Sequence, residues 1–443
     1  MNMNPRRPAV LALMLLLIFV VQAQPATTTL EEAVARAWAK SYGLKDKLLD
    51  EEGAKAERDF AARQKLFHLD FAGAYRYATD HVVVTAANFP FTSLLHIPSD
   101  QVLLSAPKGT YDLKLNLAQP LWTGGSLTNT LRADEERQVA ASSQTQAAKV
   151  EIAGRVKTSY YTYRLLLARK RSLEILLENL GLHESRVAAF VREDLARRSD
   201  LLETRAKAEE TRLSIEDTSQ QATKERIGFA TLTGLSPDDI EAPPPATVLD
   251  YAGSLAEFET RHPLLKGLEA QAAALDLSRK AVTGQRLPQL ALFGEAHYAR
   301  PGVNFFLDQW KLYGIAGLSL TVPVFNLNRI ARDKAVIDVE RRKLDDQKAD
   351  ILEQARKTLQ QLYESLRSLE QQAASADRLI GLAEEDAGLK ERLYRESQIS
   401  NLDYLAALTD LERYRALKDQ IALQTELVKV AVNTAIGRIG DQP

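Results

Sequence analysis

Tyr111-Asp112-Leu113-Lys114-Leu115-Asn116-Leu117, followed by Gln119-Pro120-Leu121-Trp122-Thr123-Gly124-Gly125, is the stretch whose reading decides the fold. In the first seven residues apolar and polar side chains alternate strictly. Tyr and Leu lie on one side and Asp, Lys and Asn on the other, the period-2 pattern of a strand with two unlike faces. Beyond Gly125 the period changes. Leu127, Leu131, Ala141, Ala148, Ile152, Ser159, Tyr163, Leu166, Leu173, Leu177 and Leu180 are spaced by threes, fours and their sums. That is the 3.5-residue signature of a coiled coil. No proline interrupts 125–181, which as one helix would extend ~85 Å. A strand with two faces thus feeds a helix far longer than an ordinary domain uses.

The same succession occurs twice. At an offset of 203, Pro120 matches Pro323, Asp200 matches Asp403 and Gly234 matches Gly437. Upstream the offset is 221: Leu44-Lys45 matches Leu265-Lys266, Gly73 matches Gly294 and Tyr77 matches Tyr298. The difference, 221 − 203 = 18, is a longer loop after Tyr77. The chain therefore reads as a first repeat, 24–234, with a helix at 30–66, strands at 69–78 and 110–119, and a helical hairpin at 125–234. The return helix of that hairpin is expected from about residue 186, nearly as long as its partner. A proline-rich linker, 235–254, leads to a second repeat, 255–438, and a short tail, 439–443. The second repeat has a helix at 255–287, strands at 290–299 and 310–322, and a hairpin at 328–438. Many seam positions are Ala, Ser or Thr, so one copy has a thin core and its hairpins are expected to pack laterally against other subunits.

The first segment reads as an address. Arg6 and Arg7 precede the apolar run Leu11–Val21, and Val21-Gln22-Ala23 supplies small residues at cleavage spacing. A secretory signal, 1–23, cut after Ala23, is expected; an uncleaved anchor helix is the competing reading. Export frames the strands. Each is about ten residues, the length a tilted strand needs to cross a bilayer core. Tyr75, Tyr77, Trp122, Tyr298, Trp310 and Phe325 cluster at strand ends, where aromatic girdles sit. Asp70, Arg76, Asp112, Lys114, Asn116 and Glu295 are expected to line a water-filled lumen, and Leu113, Leu115 and Leu117 to face lipid. Four strands cannot close a barrel, and an open edge is forbidden in lipid. Two copies would supply eight strands and three copies twelve, and strand physics alone does not choose.

Composition removes most other classes. The chain has 443 residues, 57 basic and 59 acidic, no cysteine and a pI near 6.4. The neutral balance argues against nucleic acid as a partner. With no cysteine there is no thiol nucleophile, disulfide or thiolate metal site. A mean hydropathy of −0.24 excludes a bundle of transmembrane helices. The six histidines show no ligand-like spacing, and Gly124-Gly125 lacks the lysine of a phosphate loop. No catalytic, cofactor-binding or metal-binding residues are expected, and no enzyme activity.

The export signal, the duplication, the strand pairs ending in Gln119-Pro120-Leu121-Trp122-Thr123-Gly124-Gly125 and the hairpins ending in Arg198-Ser199-Asp200-Leu201-Leu202 together resemble the outer-membrane efflux protein family of the TolC type. The resemblance covers essentially the whole mature chain. It implies a mainly α fold with transmembrane β, in which long antiparallel coiled-coil hairpins form a periplasmic α-barrel. Four strands per chain would complete a 12-stranded trimeric outer-membrane β-barrel. It also implies a homotrimer in outer-membrane lipid, docked to a periplasmic adaptor (membrane fusion) protein and an inner-membrane pump of RND, ABC or MFS type. The protein would be a passive exit duct for efflux or type I secretion. The family's tip pattern, Tyr-x-x-Gly-x-x-x-x-x-Asp, falls on Tyr394, Ser397 and Asp403, and in the first repeat on Val191, Asp194 and Asp200. Both glycine slots are thus replaced, and a second entrance aspartate of some relatives is Ala406 here. Asp403 would contribute to an acidic ring at the periplasmic entrance, although Asp200 and Asp403 equally suit helix capping. The rival reading is a soluble periplasmic coiled-coil scaffold or adaptor whose strands form a small covered sheet.

Overall fold

The computed structural model describes residues 28–92, 94–324, 327–396 and 398–439. The expected signal at 1–23, Phe325 and Ser397 fall outside them. The chain begins with a broken helix, α1 (Leu30–Lys40) and α2 (Tyr42–Arg63). Strand β1 (His68–Tyr77), a small hairpin of β2 (Val83–Thr85) and β3 (Val102–Ser105), and strand β4 (Gly109–Trp122) follow. Helices α3 (Ser126–Arg192) and α4 (Arg198–Thr233) complete the first half. The second half runs α5 (Tyr251–Arg261), α6 (Pro263–Gly284), β5 (Gln289–Arg300), β6 (Lys311–Thr321), α7 (Leu327–Arg395) and α8 (Asn401–Ala435).

Four strands form one antiparallel sheet in the order β1-β4-β5-β6. Register places Asp112, Lys114 and Asn116 beside Ala299, His297 and Glu295, and Leu113, Leu115 and Leu117 beside Tyr298, Ala296 and Gly294. Polar and apolar side chains therefore segregate to opposite faces across strand boundaries. Strand β4 continues past Pro120 to Trp122 through a register shift, which is how a residue without an N–H is accommodated in a paired strand. The longer loop after Tyr77 is not featureless, since it carries the β2–β3 hairpin.

The helices lie side by side. With 67 and 69 residues, α3 and α7 would each run about 100 Å at 1.5 Å per residue. Shorter helices flank them end to end: α2 and α6 pack on α3 toward the sheet, and α4 and α8 pack on it toward the far end. The return helix differs from its sequence reading. It begins at Arg198 rather than near 186, and its 36 residues are about half the length of α3. Nothing between 182 and 192 breaks the helix, so α3 continues until Asp194, which takes the turn in the left-handed region at φ 57°. The two entry helices are also each broken, at Ser41 and His262, positions related by the same 221-residue offset. Ser41 leaves helical geometry and its hydroxyl accepts from the Leu44 N–H. His262 precedes Pro263, which disfavours the helical conformation before it, and its Nδ1 accepts from the Leu264 N–H at 3.2 Å.

Packing is densest at mid-height. Leu30, Val34, Val156, Tyr160, Phe229, Ile240 and Val430 form one cluster, and Phe258, Leu265, Leu359, Leu366, Val432 and Ile436 another. Farther along, the seam thins to small residues. Thr204, Thr211 and Thr218 recur every seven positions on α4, and each hydroxyl donates to the carbonyl four residues before it, at 2.8 Å. That satisfies a buried hydroxyl without demanding space, and so lets the helices approach closely.

Burial also makes the mid-height layer sensitive to acid. His262 is 8 % exposed, and burial pushes its pKa down to about 4. Because the native state holds the ring neutral, its contribution to stability is complete above the ordinary histidine pKa near 6.5. It is lost progressively as pH falls from there toward 4, to at most about 3 kcal/mol. Thermal melts should show this acid loss in wild type and a smaller one in His262→Asn, which keeps a capping oxygen but cannot be protonated. Equal acid loss in both proteins would contradict the assignment.

Candidate functional site: the hairpin tips and the polar sheet face

Two groups of expected residues lie at opposite ends of the molecule. At the far end of the helices, the turns after α3 and α7 come together. Asp194, Asp200, Tyr394 and Asp403 all line one cleft of about 800 Å³ between them, with Phe190, Arg197 and Arg395. Asp194 takes the left-handed conformation, at φ 57°, which strains a residue with a Cβ. Asp403 belongs to a capping box: its N–H donates to Ser400 Oγ at 3.2 Å, and its carboxylate accepts from the Ser400 N–H at 3.3 Å. Asp200 does not cap. The residue in the cap position is Arg197, which makes no side-chain cap bond, and the Asp200 carboxylate accepts only from Ser199 Oγ at 3.3 Å. Asp403→Ala should therefore lower the thermal stability of the tip by about 1 kcal/mol, and Asp200→Ala by less. Equal effects in melts of the two variants would refute that distinction.

Sequence reasoning missed the polar lock behind this cleft. His183 on α3 is buried, and its Nε2 lies 2.6 Å from Asn401 Oδ1 at the start of α8. The Asn401 amide donates onward to the Asp200 carbonyl at 3.1 Å and to Thr204 Oγ1 at 3.3 Å. Tyr394 and Tyr404 stack with rings 5.7 Å apart, and His183 lies 4.7 Å from the Tyr404 ring. Burial pushes the His183 pKa down, against the pull of the Asn401 hydrogen bond. Outside this layer, Arg186 donates to Glu391 at 2.8 Å, tying α3 to α7. Burial works to raise the Glu391 pKa, but Arg186 and Arg395 together hold it below the usual carboxylate value. The lock thus joins the two hairpins through residues 218 positions apart, a pairing with no local sequence signal. Only Asn401, two residues before Asp403, lay within a motif that could be read.

At the other end, the polar face of the sheet gathers three of the expected lumen residues, Asp112, Lys114 and Glu295, about His297, which was not among them. His297 Nδ1 lies 2.9 Å from Asp112 Oδ1, and its Nε2 lies 3.1 Å from Glu295 Oε2. Lys114 Nζ reaches Glu295 Oε1 at 3.5 Å, and Tyr313 stacks on His297 with ring centroids 4.8 Å apart. Asp70 and Asn116 share the next row with Glu295, whereas Arg76 stands apart near the outer end. On the opposite face, Leu113 and Leu115 are exposed beside exposed Phe71, Leu312, Leu318 and Leu320. At the end away from the helices, Tyr75 on β1, Tyr111 on β4, Trp310 just before β6 and Tyr298 on β5 form a run of ring contacts, with successive rings 4.7 to 5.8 Å apart.

No helix packs over either face of this sheet among the described residues. Its outer edges, on β1 and β6, are unpaired in the single chain. None of the described helices is long and apolar enough to cross a membrane. No cluster of three metal-ligating side chains occurs among the described residues.

Residues 98–235 match the outer membrane efflux protein family. No curated protein matches the chain by sequence. Among solved structures, the outer membrane protein VceC from Vibrio cholerae shares the fold with a TM-score of 0.73 at 17 % identity, over 92 % of this chain and 96 % of that one. The MtrE outer membrane channel of Neisseria gonorrhoeae, in its open state, gives 0.71 at 13 % identity over 94 % and 91 %. The CmeC outer membrane channel of Campylobacter jejuni gives 0.66 at 16 % identity over 92 % and 85 %. At these identities the likeness is one of fold.

Proposed function

We propose that this chain, which matches the outer membrane efflux protein family over residues 98–235 and shares the fold of solved outer membrane channels along nearly its whole length, is the outer-membrane exit duct of a tripartite efflux or type I secretion system. The observation that carries this reading is the sheet. It is exposed on both faces, with leucines and an aromatic row on one and charges on the other. A soluble scaffold would have to cover the leucine face, and no described helix does so. In a barrel, lipid meets the leucines and water meets the charges.

Three copies are the assembly that fits. The unpaired edge of β6 in one copy can pair with β1 of the next, giving twelve strands and a lumen wide enough for water. The helical layer has the same open flanks, α7 on one side and α2 with α4 on the other. Exposed Val336, Val339, Leu382 and Leu389 on α7 and Leu48, Leu49, Leu213 and Ile227 on α2 and α4 are the apolar groups such neighbours would cover. The α-helical wall then continues the barrel across the periplasm. The cleft at the hairpin tips, with exposed Leu195, Leu202 and Leu402 around it, is the surface an adaptor protein would grip, and Asp403 would stand near the entrance. An inner-membrane pump supplies the work, and the duct itself is passive.

The test is ion conductance of the purified protein in planar bilayers. Discrete conductance steps are expected at nanomolar addition. A protein that binds the bilayer without steps, or that fractionates with soluble periplasmic proteins, would overturn the reading.

A further inference from the structure

We infer that His297 sets the sign of the charge in the barrel lumen and biases passage through that part of the duct toward anionic solutes; the inference rests on the polar sheet face lining water, as proposed above. Register places Asp70, Asp112 and Glu295 on that face as anions, and Arg76, Lys114 and Lys311 as cations. Those six cancel, one against one. His68, at the foot of β1, sits in the row of Ala118 and Phe293, below the charged rows. The balance of the lumen is then left to His297.

The surroundings of His297 decide its form. Both ring nitrogens face carboxylate oxygens, Nδ1 at 2.9 Å from Asp112 and Nε2 at 3.1 Å from Glu295. An ionised carboxylate only accepts, so both hydrogen bonds exist together only when both nitrogens carry hydrogen, which is the cationic ring. The stack against Tyr313, with planes 5° apart, holds the ring in the orientation that reaches both partners. His297 is only 7 % exposed, so its two carboxylates, not water, are what it meets. Asp112, His297, Glu295 and Lys114, in that order, thus form a chain of alternating charge across β4 and β5. With His297 charged, each chain contributes one net positive charge to the lumen wall, and three chains contribute three. Field lines in a narrow lumen with low-dielectric walls are focused along its axis, so a small imbalance biases which ions pass.

The experiment is the zero-current potential of the wild-type trimer and two variants in planar bilayers at pH 7 under a KCl gradient. His297→Gln removes the charge and can still hydrogen-bond; His297→Lys keeps the charge and loses the ring. The chloride-to-potassium permeability ratio is expected to fall about twofold in His297→Gln, the scale of three screened unit charges across a water-filled lumen. It is expected to stay near wild type in His297→Lys. The His68→Gln control should leave it unchanged. Conducting His297→Gln channels with the wild-type ratio would overturn the inference while leaving the duct intact. A ratio lowered equally in His297→Lys would overturn it too, because shape rather than charge would then be responsible. Absence of conductance from wild type itself would bring down the proposed function and this inference with it.

Discussion

Leu115→Arg is expected to abolish recovery of the protein as an outer-membrane oligomer. Leu115 stands in mid-strand on the leucine face, with Phe71 beside it on β1 and Ala296 on β5. Its side chain is 43 % exposed in the single chain, and no described helix shelters it. In a barrel that exposure is to hydrocarbon. A charged side chain near the bilayer midplane costs about 2–4 kcal/mol per chain, and three chains carry it at the same height. Asn116→Arg places the same charge one residue along, on the opposite face, and should assemble normally. Membrane fractionation followed by gel analysis of unheated samples separates the outcomes. Equal oligomer yields from the two variants would mean that the sheet does not divide lipid from water as proposed.

Gly124→Ala should be the most destabilising small substitution in the chain, at about 3 kcal/mol or more. Gly124 lies in the strand-to-helix turn at φ 64°, in the left-handed region that costs any residue with a Cβ. A Cβ there would also press into the carbonyl oxygen of Gly284 and come within 2.7 Å of the Leu287 Cβ. Gly284 closes α6 against the same turn, so two backbones cross where the sheet gives way to helices, and neither can withdraw. Gly53 in α2 offers the contrast, because a Cβ there meets nothing within 4 Å. Gly53→Ala should be neutral or stabilise by up to about 1 kcal/mol through helix propensity. Thermal unfolding of the two variants in detergent tests the pair. A Gly124→Ala protein that melts with wild type would show that the crossing has slack.

These two sites also show what could be read without coordinates. The alternation at 111–117 concerns neighbours in sequence, and a strand converts it directly into two faces. The heptad spacing after Gly125 is equally local, and α3 follows from it. The fold class was legible for that reason, and the resemblance to the outer-membrane efflux family agrees with the family match and the shared fold. The end of α3 was less legible. Residues 182–192 hold neither proline nor glycine, and the chain reverses on Asp194, whose preference for turns and caps is too weak a local signal to mark a helix end by itself. The breaks at Ser41 and His262 are of the same kind, capping events that a period count passes over. Least legible were the partnerships. His297 stood on the polar face of its strand, but its contact with Asp112 depends on the pairing of β5 with β4. The link from His183 to Asn401 depends on how one hairpin lies against another. Such contacts join residues far apart in sequence, and no spacing rule encodes them.

The central claim is that one chain supplies a third of a barrel and a third of a helical duct. Electron microscopy of the protein extracted in detergent from outer membranes tests it most directly. The account predicts long three-fold cylinders, with a twelve-stranded barrel at one end and a helical wall continuing from it. Compact particles, two-fold particles, or protein found only in the soluble periplasmic fraction would contradict it.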